Sequence, residues 1–551
     1  MLPVIGIHLG HDMSATVYVP EKDEFIIIEA ERILDDKHCR AFAHTCYAFY
    51  VKMLQYLERQ HQIKNDFEFV VVRSVPAGKK YYYTFHSGLE IIRAKHIIYH
   101  EDFVPDHHNC HAYSAYCQAG YKNAFCLTYD GGGDGTDYRI YKIKEGKIVF
   151  KEDMVYELNH LYNHCVKRFP RLLKTTPDNL DLAGKLMGMA GFGKKELDFI
   201  EPEFIRISRL EDNEENREYH EIKKAANRPG KVRRFKSYFL EKFRNRIFDY
   251  DSMTVEDENN AAKTIQKLTE DFVVSEFKKY KNHIEECDNN VIISGGIALN
   301  VIINERLKRE FPQYNFYVNT NPHDGGLSLG RIYGYLLENG FEMRNDYKLM
   351  YAGTYLLDIE ALPGLIHERA ARETSLDEVS EMLNEGDIIG FIHGRCEIGP
   401  RALGNRSILC DASYPNMKDI INLKVKKREV YRPFAPACKY EDAHKYFYTP
   451  SFENMEGMQF VADVKDEYKE TLESITHVDG TARLQTVKKE SNPVFYELLD
   501  KFDGVLLNTS FNRSGKPILN RVEDALDMLD STKLDAVVVG DLNNKFWLFT
   551  K

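Results

Sequence analysis

The stretch AFCLTYDGGGDGTDYRIYKI (124–143) is a strand, a glycine-rich turn and a second strand in alternating order. An earlier stretch, VIGIHLGHDMSATVYVP (4–20), has the same form: it turns at Gly10–Ser14 and resumes as Ala15–Val19. Helical segments follow both, so the pair reads as a duplicated α/β unit. A third landmark, VIISGGIALNVIINERL (291–307), is a buried strand, a Gly295–Gly296 turn and a helix. Such a turn lets the backbone approach a nucleotide, and the helix N-terminus favours its phosphate. Tight strand–helix packing explains a Gly-Gly turn equally well. Near 340–358 the character shifts and a new α/β region begins, which places the main boundary there: a first unit over 1–350 and a second over 351–551.

The length of 551 residues and the hydrophobic content of 43% allow three or four domain-sized units with sizeable cores. A net charge of −11 argues against broad binding to nucleic acid or anionic membranes. The ten cysteines form no CxxC pair, so they read as reduced thiols of a reducing cytoplasm. The start, MLPVIGIHLGHD, lacks a basic leader with a long apolar core, and no apolar run approaches a membrane span. The expectation is a soluble, cytoplasmic protein.

VPDHHNCHAYSAYCQAG (104–120) reads as a helix with Asp106 as N-cap and Gly120 as its stop. His107 and His111 lie four apart and project from one face, so they could share a metal. His108 falls off that face and is expected in solvent or behind the ligands. Asp130, before a glycine run, and Asp324, in NPHDGGLSLG, add two carboxylates beside glycine turns, where doubly wound folds collect ligands. Two imidazoles and two carboxylates suit Fe(II), Mn(II) or Zn(II) without choosing among them.

Three stretches in the second half are built for anions. HGRCEIGPRALGNRSIL (393–409) carries Arg395, Arg401 and Arg406 among glycines, and NLKVKKREVYRPFAP (422–436) carries Lys426, Arg428 and Arg432. LNTSFNRSGKPIL (507–519) is rich in small polar groups. Arginine forks match phosphate oxygens, and glycines let the backbone close on an anion. Together they suggest a pocket for more than one phosphate-bearing ligand.

These segments resemble the NodU/CmcH-type carbamoyltransferases over nearly the whole chain. The shared signatures are HDMSA (11–15), HHNCHA (107–112), YDGGGDG (129–135), GKLMGMAGFG (184–193), SGGIALN (294–300), HDGG (323–326), GPRALGNRS (399–407), KREVYRPFAP (427–436) and LNTSFN (507–512). The resemblance implies a duplicated actin-like ATPase (TsaD-like) N-terminal domain and an α/β YrdC-like C-terminal domain that makes carbamoyl adenylate from carbamoyl phosphate and ATP, with Mg²⁺ at the triphosphate. It also implies transfer of the carbamoyl group to a hydroxyl of a small acceptor, such as a natural product or a sugar. The family's iron ligands fall on His107, His111, Asp130 and Asp324, and its catalytic histidine on His11. Nucleotide contacts fall on Gly131, Gly132, Gly133, Lys185, Gly295, Gly296 and Asn300. The carbamoyl phosphate and ATP pocket falls on Arg395, Arg401, Arg406, Lys426, Arg428 and Arg432, with Ser510 and Asn512 in the phosphate-side loop.

The insertion 201–258 matches no family motif. Its run KKAANRPGKVRRFKSYFLEKFRNR (223–246) holds ten Lys or Arg and one acid. It reads as a solvated helical face or as a docking surface for an anionic substrate or partner. That run is the only support for a competing reading, (threonyl)carbamoyl transfer to tRNA. A second competitor, a non-catalytic actin-like ATP-binding module, leaves the arginines and the His/Asp set without a purpose. The acceptor stays open, and so does a homodimer.

Overall fold

The computed structural model describes residues 1–72, 88–99, 104–133, 136–154, 162, 165–166, 169–176, 178–198, 253–428, 432 and 434–551. The basic run 223–246, with most of the insertion, lies outside them.

Two five-stranded sheets repeat one topology. In the first, β1 (Val4–His8), β2 (Ser14–Val19), β3 (Glu24–Glu29), β4 (Phe67–Val72) and β5 (Ala94–Ile98) lie in the order β3-β2-β1-β4-β5. In the second, β6 (Asn123–Gly133), β7 (Thr136–Lys144), β8 (Lys147–Met154), β9 (Asn290–Ser294) and β10 (Asn315–Val318) lie in the order β8-β7-β6-β9-β10. Each begins as an antiparallel meander of three strands, and parallel strands then add beside the first. The expected duplication is therefore present. Strands such as Val4–His8 are buried along their whole length, on both faces of the sheet.

The two halves meet where helix Leu327–Glu338 crosses helix His107–Ala119. The crossing is close because glycines line it. A Cβ on Gly330 would lie 1.8 Å from the Cys110 carbonyl oxygen, and one on Gly334 would meet the Tyr113 ring at 2.3 Å. On its other side the long helix rests on the first sheet: a Cβ on Gly6 would lie 2.5 Å from the Ser328 carbonyl oxygen. The Ser328 hydroxyl bonds those of Ser14 at 2.9 Å and Thr16 at 2.8 Å.

The remaining chain forms an eight-stranded mixed sheet from β11 (Arg372–Thr374), β12 (Ile389–Ile392), β13 (Arg406–Asp411), β14 (Ala435–Lys439), β18 (Gln485–Val487), β19 (Leu506–Ser510), β20 (Ala536–Gly540) and β21 (Phe546–Thr550). Their order is β11-β21-β20-β12-β13-β19-β14-β18. A small sheet, β15 (Phe447–Tyr448), β16 (Ala462–Val464) and β17 (Thr481–Ala482), lies beside it in sequence. Helices Leu376–Asn384 and Pro493–Phe502 cover one face of the large sheet. Leu376, Val379, Phe495 and Leu499 share a core there with Phe391 and Leu409.

A buried ion pair joins this region to the first sheet. Arg32 donates to Glu29 at 3.1 Å and to the Gly399 carbonyl at 2.6 Å, while Glu29 accepts from Gly399 N and Asn321 Nδ2, each at 3.0 Å. All ten cysteines are buried, and none forms a disulfide. No helix among the described residues is long and apolar enough to cross a membrane.

The crossing yields a prediction. Gly330→Ala forces the Cβ into Cys110 and should destabilise by about 3 kcal/mol or more, as overpacking of a rigid contact does. Gly364→Ala, which meets nothing within 4 Å, should be neutral. Thermal unfolding midpoints of the two variants check this.

Candidate metal centre and anion pocket

The first centre is assembled from the helix crossing outward. Asp106 caps helix His107–Ala119 by accepting from Asn109 N at 2.7 Å, and Gly120 ends it in the left-handed region. His107 and His111 lie one turn apart on that helix, with their Nε2 atoms 3.2 Å from each other. Asp130 Oδ2 lies 3.1 Å from His107 Nε2, and Asp324 Oδ1 lies 3.5 Å from His111 Nε2. One ligand atom from each of the four comes within 4.8 Å of all the others. The structure brings together the whole set expected from spacing.

The donor set fits a divalent first-row ion. Two ring nitrogens and two carboxylate oxygens face one point, and Asp324 Oδ1 is buried without a hydrogen bond of standard geometry. Burial pushes both carboxyls up and Asp130 adds to this for Asp324, yet the histidines around them hold both below the usual carboxylate range. Asp130 is aimed by its second oxygen, which accepts from Gly296 N at 2.7 Å. Gly295 must be glycine: its φ is +96° and a Cβ would lie 2.1 Å from the Tyr129 carbonyl oxygen. Asp324 lies in a short 3₁₀ turn that leads into helix Leu327–Glu338, several residues beyond the end of β10.

His11 stands beside this centre in the β1–β2 loop. Its Nε2 is 3.3 Å from Asp324 Oδ2 and its Nδ1 is 2.9 Å from Asp12 Oδ2. Burial lowers its pKa, but Asp324 and Asp12 more than offset that and raise it to about 9. His8, which the motifs did not single out, sits 3.8 Å from Asp324 Oδ2, and burial drives its pKa down to about 3.

Of the two places expected for His108, the structure has the one behind the ligands: it is fully buried, with Nδ1 2.9 Å from the Thr128 hydroxyl and Nε2 3.1 Å from the Thr136 carbonyl oxygen. It ties the helix to β6 and β7. Asn300, assigned to the nucleotide from the resemblance, is partly buried and already hydrogen-bonded. Its amide exchanges hydrogen bonds with Gln266 and accepts from Ile303 N at 3.3 Å, so it caps helix Val301–Glu310. Gly131 is exposed and a Cβ there would meet nothing within 4 Å, while Gly132 and Gly133 continue β6. Lys185 lies on helix Leu182–Ala190.

The second centre gathers some of the expected cations and not others. Arg401 is buried, donating to Gln459 and to the Leu299 carbonyl at 3.0 Å. Burial lowers its pKa, and nearby Arg483 lowers it further. Arg483 is lowered to about 10 by burial and by Arg432, and its Nε is buried without a hydrogen-bond partner among the described residues. Lys426 is pushed down by burial and by Arg428 and Arg432. Its ammonium is held by the Ser510 carbonyl at 2.7 Å, the Ser510 hydroxyl at 3.2 Å, the Asn512 carbonyl at 2.9 Å and the Asn512 side chain. The LNTSFN loop is thus closed on Lys426.

Arg395 and Arg406 are corrections. Arg395 donates to the carbonyls of Gly353, Phe25 and Ala352 and pairs with Glu24 at 2.6 Å, clamping the arginine-rich loop to β3. Arg406 is fully buried and donates to the carbonyls of His393, Asn405, Thr354 and Gly394. Both guanidiniums are bonded to the protein's own oxygens. Arg428 donates to Asn422 Oδ1 at 2.8 Å and stacks over Phe434. Arg483 was missed because HVDGTARLQTV (477–487) carries one isolated arginine and no cationic run. The Asp479–Gly480 turn before it is the signal that could have drawn attention.

Two family models match the chain. Residues 46–332 match the carbamoyltransferase N-terminus family model, and residues 380–545 match the carbamoyltransferase C-terminus model. Nodulation protein NolO of Bradyrhizobium diazoefficiens is 31% identical over 451 residues, 79% of this chain and 78% of that protein. The 3'-hydroxymethylcephem-O-carbamoyltransferase of Amycolatopsis lactamdurans is 33% identical over 254 residues, 45% of this chain and 47% of that enzyme. Among solved structures, full-length HypF in its phosphate- and nucleotide-bound form aligns with 62% of this chain and 56% of that chain, at 12% identity and a TM-score of 0.33. With both of its models matched in order and a relative aligned over four-fifths of its length, this chain belongs to the carbamoyltransferase family.

Proposed function

We propose that this protein is an ATP-dependent O-carbamoyltransferase with two chemical centres: an actin-like, TsaD-like unit over 1–350 and a YrdC-like unit over 351–551. The observation that carries the reading is the convergence of Arg401, Arg432 and Arg483: Arg483 lowers the pKa of Arg401, and Arg432 that of Arg483, beyond what burial does. Like charges held close together are offset by a bound polyanion. Carbamoyl phosphate and ATP, with Mg²⁺, are polyanions of the right kind.

In the second unit, carbamoyl phosphate reacts with water to give carbamate and phosphate. The carbamate oxygen then attacks the α-phosphorus of ATP, and pyrophosphate leaves. Arg401, Arg432 and Arg483 stabilise charge as it builds on phosphoryl oxygens, which preorganised donors in a dry site do well. Lys426 holds the Ser510–Asn512 loop in place for this rather than binding substrate itself. The product, carbamoyl adenylate, is sensitive to water and is consumed in the first unit.

There His107, His111, Asp130 and Asp324 would hold Fe(II) or a similar divalent ion, which when bound supplies Lewis acidity toward the carbamoyl group. With a divalent ion offsetting the Asp324 charge that raises its pKa, His11 would be neutral and accept the acceptor hydroxyl proton at Nε2 as the oxygen bonds to the carbamoyl carbon and AMP leaves. Gly131, where an added Cβ would meet nothing within 4 Å, leaves backbone space for the AMP moiety, and Lys185 on helix Leu182–Ala190 is the cation assigned to it. The acceptor is a small hydroxyl compound, as for the hydroxymethylcephem named for one relative.

Purified protein with ATP, Mg²⁺ and labelled carbamoyl phosphate, without acceptor, should yield carbamoyl adenylate by mass spectrometry. Both substrates remaining intact would reject the assignment. Arg483→Ala and Arg401→Ala should each slow adenylate formation by about 10²-fold or more, as loss of a charge-stabilising donor does. His107→Ala should lose bound metal by elemental analysis while keeping adenylate formation. His11→Ala should keep both metal and adenylate but lose transfer.

A further inference from the structure

We propose that Asp12, His38 and Asp181 form a positioning relay that holds His11 in its working orientation and ties it to the helix bearing Lys185. The inference rests on the assignment of His11 as the acceptor base. His11 needs such support, because it sits on a loop with 43% of its side chain exposed. An unsupported imidazole there would sample several rotamers and both tautomers.

The relay is continuous. Asp12 Oδ2 accepts from His11 Nδ1 at 2.9 Å, and Asp12 Oδ1 accepts from His38 Nδ1 at 2.7 Å. His38 Nε2 lies 3.3 Å from Asp181 Oδ1, which in turn accepts from Lys37 Nζ at 2.6 Å. With Nδ1 committed to Asp12, His11 Nε2 is left to face Asp324 and the reacting groups. This is the logic by which a carboxylate sets the tautomer of a catalytic imidazole. Asp181 immediately precedes helix Leu182–Ala190, so the far end of the relay is anchored at the nucleotide side.

The backbone is built to present these groups. Asp12 at φ +53° and His38 at φ +55° are both in the left-handed region, which side-chain-bearing residues seldom occupy. Such conformations persist where surrounding structure enforces them, and here two loops are zipped together. Met13 N donates to the Cys39 carbonyl at 3.1 Å, and Ala41 N donates to the Gly10 carbonyl at 2.9 Å. The His38 backbone N–H also donates to Glu31 Oε2 at 3.1 Å. The charges alternate along the chain. Burial lowers the pKa of His38, yet hydrogen bonds to Asp12 and Asp181 raise it to about 10, so it is a cation between two carboxylates. His38 acts through Asp12.

The test uses the full-length, metal-loaded enzyme with ATP, Mg²⁺ and carbamoyl phosphate, water serving as acceptor and AMP release in excess of the spontaneous hydrolysis of carbamoyl adenylate as the readout of transfer. His38→Ala should lower AMP release at saturating substrate by about 10²-fold, the scale of lost general-base assistance. The KM for ATP, the bound metal and the yield of carbamoyl adenylate should stay near wild type. His38→Asn, whose amide can donate from nearly the same place as Nδ1, should recover most of the rate. Unchanged AMP release in His38→Ala, with release lost in His11→Ala, would overturn the relay and leave the base assignment standing. Unchanged release in His11→Ala would remove the base assignment and the relay with it. Equal loss of metal and rate in His38→Ala and His38→Asn would make the contact a structural joint only. If His38→Ala does not fold, Asp181→Asn serves: the relay predicts a several-fold fall in AMP release with adenylate yield unchanged, and no fall overturns it.

Discussion

The close crossing of helices His107–Ala119 and Leu327–Glu338 is the constraint on which the rest depends. Three glycines, Gly6, Gly330 and Gly334, remove every Cβ that would hold the long helix away from the first sheet or the shorter helix. The approach seats Ser328 between Ser14 and Thr16 and carries Asp324, four residues earlier, to His107 and His111. Without that approach the two histidines would be a pair on a helix and the aspartates two loop residues. The ligand set is a product of packing density, and packing at that density tolerates no added methyl group.

Two centres of opposite character then share one molecule. Near the helix crossing, two carboxylates and several histidines gather where a cation lowers their mutual repulsion. In the second half, Arg401, Arg432 and Arg483 gather where a polyanion does the same. The GPRAL loop stands between them. Gly399 is held by the buried Glu29–Arg32 pair, and Arg401 reaches the Leu299 carbonyl in the loop beside Gly295–Gly296. A buried ion pair contributes little net stability after desolvation, so its value here is in holding one geometry. It places the arginine-bearing loop against the first unit at a single register.

The fully buried Arg406 shows how a motif can mislead. As a string, GPRALGNRS offers two arginines with equal claim to phosphate. In the fold, Arg401 faces other cations, while Arg406 points inward and binds four carbonyl groups of its own loops. Arg395 is likewise bound to β3 and its surroundings. Buried backbone carbonyls need donors, and a guanidinium with five N–H groups satisfies several at once. Local sequence carries no mark that separates an arginine serving a ligand from one serving the backbone.

The residues alone determined much of this protein. The alternation of 4–20 and of 124–143 gave the repeated sheet, because a period of two is a local property of strands. The i, i+4 spacing of His107 and His111 gave half of the ligand set, because one helical turn is also local. The tertiary structure decided the rest, through contacts between residues hundreds apart. It buried His108, made Asn300 a helix cap, bonded Arg395 and Arg406 to backbone carbonyls and brought Arg483 near Arg401. It also set Asp181 and His38 behind Asp12. Burial and long-range charge are set by which elements meet, and no window of sequence contains that information.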